Sequence, residues 1–460
     1  MLTHLLIAIP VCGHIVMKRV DAAAPAWILV VLGSPFIGSF LYFILGINRV
    51  ERRARRLRGK RPRALPRLET HQMPFEGLPT AQQKQLFQFG KSVHAAPFVG
   101  GNQVKPLIDG EMAYPDMLAA IEAAKTSIAL SVYIFKRDDI GERFVAALTA
   151  AHTRGVTVRV LVDEIGMGRK AHAADTKLAQ EGIPTARFIP QTVKFLPLIN
   201  LRNHRKIMVV DDHTGFIGGM NICRNYTGKR TPVRDLHFRV TGPAIVQMAR
   251  VFEEDWKFAT GESIELPLIK EPEEKLATPV YARVIADGPD NAFQRTLWII
   301  LGALAVSQKS VRILSPYFLP NDILRHALEV CALRGVAVEV VIPVKTDTAI
   351  VDYAMAAHFE DLLEHGVKLF YSGKPFDHSK LMLVDGVWAL VGSSNWDQRS
   401  LRLNFEANLE VYDADLAGVM EEHFAAKRAL ATPILLDAVK AAPATRRLRN
   451  NIARLFAPYL

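Results

Sequence analysis

The sequence predicts an α/β protein of two similar lobes carried behind an apolar N-terminal segment. Three observations lead there: a 23-residue uncharged stretch near the start, short β-branched runs alternating with helical stretches, and the return of the same pattern in the second half. With 460 residues, 50% of them hydrophobic and 22% charged, the chain can form two medium globular units with something left over. Cys12, Cys223 and Cys331 lie far apart with no CxxC, so neither a disulfide framework nor a zinc site is suggested, and a reducing compartment suits them.

Residues 25–47, PAWILVVLGSPFIGSFLYFILGI, carry no charge and are long enough as a helix to cross roughly 30 Å of hydrocarbon. A transmembrane helix is expected there, with Trp27 and Tyr42 towards the interfaces. Residues 2–17 are apolar but interrupted by His4, Pro10, Gly13 and His14, and read as a weaker first span or a non-spanning interfacial segment. A cleaved signal peptide fits less well because no basic region precedes the apolar stretch. The membrane anchor, one or two helices, is placed at 1–48 and a basic stem at 49–74.

Between residues 49 and 67 stand ten basic residues against Glu51 alone, which accounts for +9 of the formal net charge of +11. Such a flank resists translocation, so the body is expected on the cytoplasmic side. The same block reads as a solvated linker or as a contact for anionic headgroups. The remainder is close to neutral, which argues against a nucleic-acid partner.

From about residue 100 the pattern repeats. A helical stretch (114–125), the run IALSVYIF (128–135), a helix leaving through Arg154-Gly155-Val156 and VTVRVLV are answered by VRILSPYF (311–318), a helix leaving through Arg334-Gly335-Val336 and VAVEVVI. These are βα units around a largely parallel buried sheet. The lobes are placed at 75–261 and 280–440, joined by a charged, proline-containing linker at 262–279. In the tail, 441–460, Leu448, Ile452, Leu455 and Phe456 recur at helical spacing among Arg446, Arg447, Arg449 and Arg454. An amphipathic helix is expected, docked on the body or lying on the membrane.

The repeat is sharpest at HxKxxxxD. His204, Lys206 and Asp211 are followed ten residues on by Asn221; His378, Lys380 and Asp385 are followed ten residues on by Asn395; the copies are 174 residues apart. A phosphodiester is anionic and resists nucleophiles, so its site needs cations, a nucleophile and an acid for the leaving alkoxide. The lysines supply charge, the asparagines amide donors, and the two histidines can divide nucleophile and acid. An imidazole attacks through Nε2 when Nδ1 keeps its proton on an acceptor. Glu406, 28 residues after His378, and Asp235, 31 after His204, are assigned to that buttressing role. Asp211 and Asp385, at strand ends entering turns, belong to the motif but read as backbone anchors. Ser394, Asn404 and Arg399 read as site lining or as loop architecture.

The paired motif resembles that of the phospholipase D superfamily at every defining position. GNQVKPLIDG (101–110), GGMNICRNY (218–226), SSNWDQRSLRLNFEANLEV (393–411) and the apolar entry look like the cardiolipin synthase family, over nearly the whole chain. That resemblance implies two α/β phospholipase D-type lobes packed as a pseudo-dimer, motifs meeting at the lobe interface, no metal and no cofactor. It implies a phosphatidyltransferase of a bacterial inner membrane that joins two phosphatidylglycerols into cardiolipin and glycerol through a phosphatidyl-histidine. His204 is taken as nucleophile and His378 as acid, although near-symmetrical motifs leave the order open. The rival readings are a hydrolase of phospholipids or nucleic acid with water as acceptor, and a non-enzymatic membrane scaffold. Just before the first motif, FLPLINL (195–201) reads as an apolar lip or a buried strand, with Pro197 favouring a loop.

Overall fold

A computed structural model describes residues 2–18, 24–43, 80–94, 96–167, 174–188, 202–228, 232–265, 280–289 and 294–457. The basic stem, FLPLINL and most of the linker lie outside the described residues. Contacts divide the chain into two compact units, the N-terminal helices and the body.

The N-terminal unit holds helices Leu2–Lys18, Ala24–Gly33 and Pro35–Leu41. The single transmembrane helix expected over 25–47 is therefore corrected: the run breaks at Ser34, whose φ of −148° and ψ of 82° are not helical. Pro35 is the cause, because its ring disfavours α geometry in the residue before it and it has no N–H to continue the ladder. Among the described residues no helix is long and apolar enough to cross a membrane. Ala8, Ile15, Val31 and Tyr42 form a small core between the helices. Tyr42 turns inward, its hydroxyl 3.0 Å from His14 Nδ1 and its ring 5.5 Å from that of Trp27. Leu29, Phe36 and Phe40 are exposed on the outer face.

In the body, the first lobe contributes β1 (Val99–Ile108), β2 (Ser127–Val132), β3 (Thr157–Val162), β4 (Thr185–Arg187), β5 (Arg202–Asn203), β6 (Ile207–Val210), β7 (Thr214–Gly218) and β8 (Leu236–Thr241). The second contributes β9 (Val280–Asp287), β10 (Ser310–Leu314), β11 (Ala337–Pro343), β12 (Lys368–Ser372), β13 (Leu381–Val384), β14 (Trp388–Gly392), β15 (Asn404–Tyr412) and β16 (Thr432–Pro433). They join in one sheet, in the order β16-β12-β11-β10-β13-β14-β15-β9-β1-β8-β7-β6-β2-β3-β4, with β5 beside β15.

The largely parallel sheet expected from the βα pattern is also corrected. Within that path, parallel pairing is confined to β2-β3-β4 and β10-β11-β12. Helices such as Asp139–Thr153 and Asp322–Leu333 cross over there. The motif strands β6–β7 and β13–β14 are linked by tight turns, and a tight turn can only return a strand antiparallel. The repeated Arg-Gly-Val has a local reason. Gly155 and Gly335 each take φ of 90° to end a helix, while Arg154 and Arg334 cap a neighbouring helix end, donating to Glu122 O at 2.9 Å and Ala305 O at 2.9 Å.

The lobes meet where β9 pairs with both β15 and β1. Fully buried Asn102, in the GNQVKPLIDG segment, staples that seam: its Nδ2 donates to Val99 O at 2.6 Å and Val280 O at 3.0 Å, and its Oδ1 accepts from Ala244 N at 2.8 Å. Val99, Ile207, Ala282, Leu381 and Leu409, drawn from both lobes, share one buried cluster beneath it. The tail forms helix Ala444–Leu455, docked on helix Ala349–Ala356 of the second lobe.

Candidate active site

Strands β6 and β13 separate the two ends of each motif. At the far end, Asp211 and Asp385 sit at φ of 51° and 54° at the start of tight turns. Asp211 accepts from the backbone N–H groups of Lys125, Thr126 and Ser127 at 2.7, 2.7 and 2.9 Å; Asp385 accepts from Gln308, Lys309 and Ser310 at 2.9, 2.7 and 2.8 Å. Burial pushes the Asp211 carboxyl up, but these donors outweigh it and hold it below its ordinary value. Both aspartates anchor the entry to the neighbouring strand, and neither lines the pocket that holds the histidines.

At the near end the two lobes exchange groups. His204 Nδ1 lies 3.1 Å from both carboxylate oxygens of Glu406, and His378 Nδ1 lies 2.7 Å from Asp235 Oδ2. Each histidine is thus buttressed from the other lobe, whereas the sequence offsets had set each carboxylate downstream of the histidine in its own lobe. The backbone makes the same exchange. His204 N donates to Phe405 O at 2.9 Å and His378 N to Arg234 O at 2.7 Å, in each case to the residue just before the buttressing carboxylate.

Lys206 Nζ donates to His204 O at 2.7 Å, and Lys380 Nζ donates to His378 O. Lys380 Nζ also lies 2.8 Å from His378 Nδ1. An ionised carboxylate only accepts, so Nδ1 spends its proton on Asp235 and the lysine contact there is proximity, not a second bond. Glu406 is fully buried; it accepts from Asn404 Nδ2 at 3.1 Å and from the Ser393 hydroxyl.

Burial dominates the electrostatics. It lowers His204 well below its ordinary value, with Lys206 and Lys380 adding to the effect, and it lowers His378 against the opposing pull of Asp235. Lys206 is brought down to about 7 and Lys380 to about 8, again by burial first. Glu406 is pushed up to about 7 by burial, against the attraction of Lys206. A neutral His204 with Nδ1 protonated and Nε2 available follows from this arrangement, while the Asp235 carboxylate beside His378 works against burial and favours the protonated ring.

Both histidines line one pocket of about 630 Å³, together with Asn221, Asn395, Arg202, Arg399 and Asn404. Asn221 is more engaged than a simple phosphate donor would be: Oδ1 accepts from Ile134 N at 3.0 Å and Nδ2 donates to Tyr226 Oη at 3.2 Å. Ser394 turns away and accepts from Asn408 Nδ2 at 2.8 Å. Among the described residues no group of three or more His, Cys, Asp or Glu is gathered as for a metal ion.

The sequence reading missed the aromatic walls. Tyr133 meets the His204 ring edge-on at 5.0 Å, and Tyr317 and Phe376 stand 6.2 and 6.0 Å from the His378 ring. A signal was present, because Tyr133 and Tyr317 occupy matching ends of the repeated runs IALSVYIF and VRILSPYF. Also missed was Arg205, 1% exposed, which bonds Asp255 Oδ1 at 2.5 Å, Glu406 O at 3.0 Å and Asp287 O at 3.0 Å, tying the first motif to the second lobe.

A family profile described as "Cardiolipin synthase, PLD-like domain" matches residues 117–256 and 300–428, enclosing both motifs. The chain belongs to the cardiolipin synthase family. A cardiolipin synthase of Geobacillus thermodenitrificans is 32% identical over 457 residues, covering 96% of this chain and 90% of that one. Cardiolipin synthase 2 of Bacillus anthracis is 31% identical over 464 residues, covering 98% and 89%. Among solved structures, phosphatidylserine synthase of Haemophilus influenzae superposes with a TM-score of 0.61 at 15% identity, covering 82% of this chain and all of that one. Polyphosphate kinase of Porphyromonas gingivalis gives 0.51 at 12%, covering 86% and 56%. At such identities these two speak for the fold alone. In this cardiolipin synthase family member, the quoted segments now have places: GNQVKPLIDG supplies Asn102 and Asp109, the latter bonding Arg234 and the Asp235 backbone beside the buttress of His378.

Proposed function

We propose that the chain is a phosphatidyltransferase that joins two phosphatidylglycerols into cardiolipin and glycerol, with lobes 75–261 and 280–440 each giving half of the site. The observation that carries this reading is the pair of crossed histidine–carboxylate dyads facing one pocket, each with a lysine beside it.

His204 Nε2 attacks the donor phosphorus while Glu406 holds the Nδ1 proton. The phosphorus–oxygen bond to glycerol breaks, and His378, entering the step as an imidazolium paired with Asp235, gives its Nε2 proton to the departing oxygen and is left neutral. Lys206 and Lys380 offset charge on the non-bridging oxygens through the transition state. The phosphatidyl group then rests on His204. A terminal hydroxyl of the second phosphatidylglycerol gives its proton to His378, its oxygen bonds to phosphorus, and His204 leaves unchanged. The pocket is large enough for two headgroups, and Arg202 and Arg399 on its wall suit an acceptor that carries its own phosphate. The apolar outer face of the N-terminal helices supports attachment to a bacterial cytoplasmic membrane, with the basic stem keeping the body on the cytoplasmic side.

Mass spectrometry of products from the purified full chain and defined phosphatidylglycerol tests this directly. Cardiolipin with equimolar glycerol is expected. Phosphatidic acid as the main product would make the enzyme a hydrolase, and no turnover with either lobe intact would leave a scaffold.

A further inference from the structure

The tail helix docks by an unexpected face. Asn450, Ala453 and Ala457 are the residues that go in, at 9%, 4% and 4% exposure, against helix Ala349–Ala356. The large apolar residues stay out: Leu448 is 62% exposed, Ile452 49%, Leu455 73% and Phe456 49%. At 100° per residue these four form one stripe on the side of the helix opposite its docked face. Arg449 flanks the stripe on one side, its guanidinium 3.7 Å from the Tyr353 ring, while Arg447 and Arg454 flank it on the other. Residues 441–460 contain no acidic residue.

We infer that helix Ala444–Leu455 is an interfacial anchor that lays its apolar stripe into a bilayer rich in anionic lipid, close beside the entrance to the catalytic pocket. A leaflet of anionic lipid offers both things this face asks for, hydrocarbon for four large side chains and phosphates for the arginines that border them. A second copy of the same helix would set arginines against arginines. A soluble acidic partner would satisfy the charges but has no particular claim on the apolar stripe. The placement matters because the helix beneath it, Ala349–Ala356, carries Val351, which lines the pocket with Asp347 and Thr348 just before it. The stripe therefore meets the membrane one helix away from the wall of the site. This contact does not depend on whether the bound lipid is transferred or hydrolysed.

The full chain can be tested in a Cys12→Ser background, with a nitroxide on Leu455→Cys and, as a control in the first lobe, on exposed Gln180→Cys. In vesicles of phosphatidylcholine and phosphatidylglycerol, the label at 455 should become accessible to oxygen and shielded from a water-soluble nickel chelate, while the control stays in water. A label at 455 that remains as water-exposed as the control overturns the inference. So does spin–spin broadening that disappears on dilution with unlabelled protein, which would put a second copy on the stripe. In a second measurement, Leu448→Ser, Ile452→Ser and Leu455→Ser together should lower turnover of vesicle lipid roughly tenfold. Turnover of a monomeric short-chain phosphodiester and Tm should be unchanged; equal losses on both substrates would also overturn it.

Discussion

Asp235→Asn removes a carboxylate from the first lobe, and its effect is expected on the histidine of the second. The charge-assisted bond at 2.7 Å between Asp235 and His378 is worth about 1.5–3 kcal/mol, or roughly ten- to 150-fold in rate if it were all that is lost. An amide can also present N–H to Nδ1 and so select the wrong tautomer, which in a comparable Asp–His pair costs about 10⁴-fold. Turnover of phosphatidylglycerol should therefore fall by about 10²–10⁴. Under the proposed roles His378 serves the leaving glycerol, so a substrate with a nitrophenol leaving group needs it far less. Asp235→Asn should still be labelled by that substrate and should accumulate phosphatidyl-enzyme, because the same histidine is needed for the second step. Glu406→Gln, which disarms His204, should not label at all. Label on Glu406→Gln but not on Asp235→Asn would reverse the two histidines, and unimpaired turnover in Asp235→Asn would refute the crossed buttress altogether.

Glu406 must be ionised to accept from His204 and its carboxyl sits at about 7, so kcat/KM should fall as pH drops below that value. Lys206 and Lys380 lose charge as pH rises through about 7 and about 8, which closes the other side of a narrow bell; Lys206→Arg, which removes the lower of the two, should move the alkaline limb up towards the Lys380 value. The lowered lysine also means that its charged form opposes folding, a cost relieved as pH rises from about 7 towards its unfolded value of 10.5. Lys206→Met should accordingly raise stability at neutral pH by roughly 1–4 kcal/mol in a denaturant titration while abolishing turnover. Asp211→Ala strands three backbone donors and should cost about 2–4 kcal/mol by the same measurement. Activity on a soluble short-chain phosphodiester should survive EDTA, since Lys206 and Lys380 already place cations at the phosphate; loss restored by one divalent ion would contradict this.

What could be read from the sequence was what lies within a few residues. The spacing His-x-Lys is fixed by a lysine folding back onto its own histidine's carbonyl, and Asp211 and Asp385 end strands in turns that a local pattern reveals. The partners of the histidines were nameable as residue types, but not as pairs, because Glu406 reaches His204 from 202 residues away and through a different strand. Sheet direction was misjudged for a related reason. The run of β-branched residues in β6 or β13 says that a strand is buried, whereas the three-residue turn after it says that the next strand returns. Apolar length alone likewise outweighed a single proline at position 35, although that residue determines where the N-terminal helix stops.

The exchange between lobes also fixes when, during synthesis, the enzyme becomes able to act. His204 leaves the ribosome well before Glu406, and the intervening 202 residues take roughly 10–40 s to make. Throughout that interval the first lobe has its imidazole and lysine but no acceptor for the Nδ1 proton, while Asp235 waits for a histidine that has not been translated. Under the proposed membrane attachment, a nascent chain is therefore inert towards the lipid around it until the second lobe folds against the first. The order of translation serves as a safety catch that no separate inhibitor has to provide.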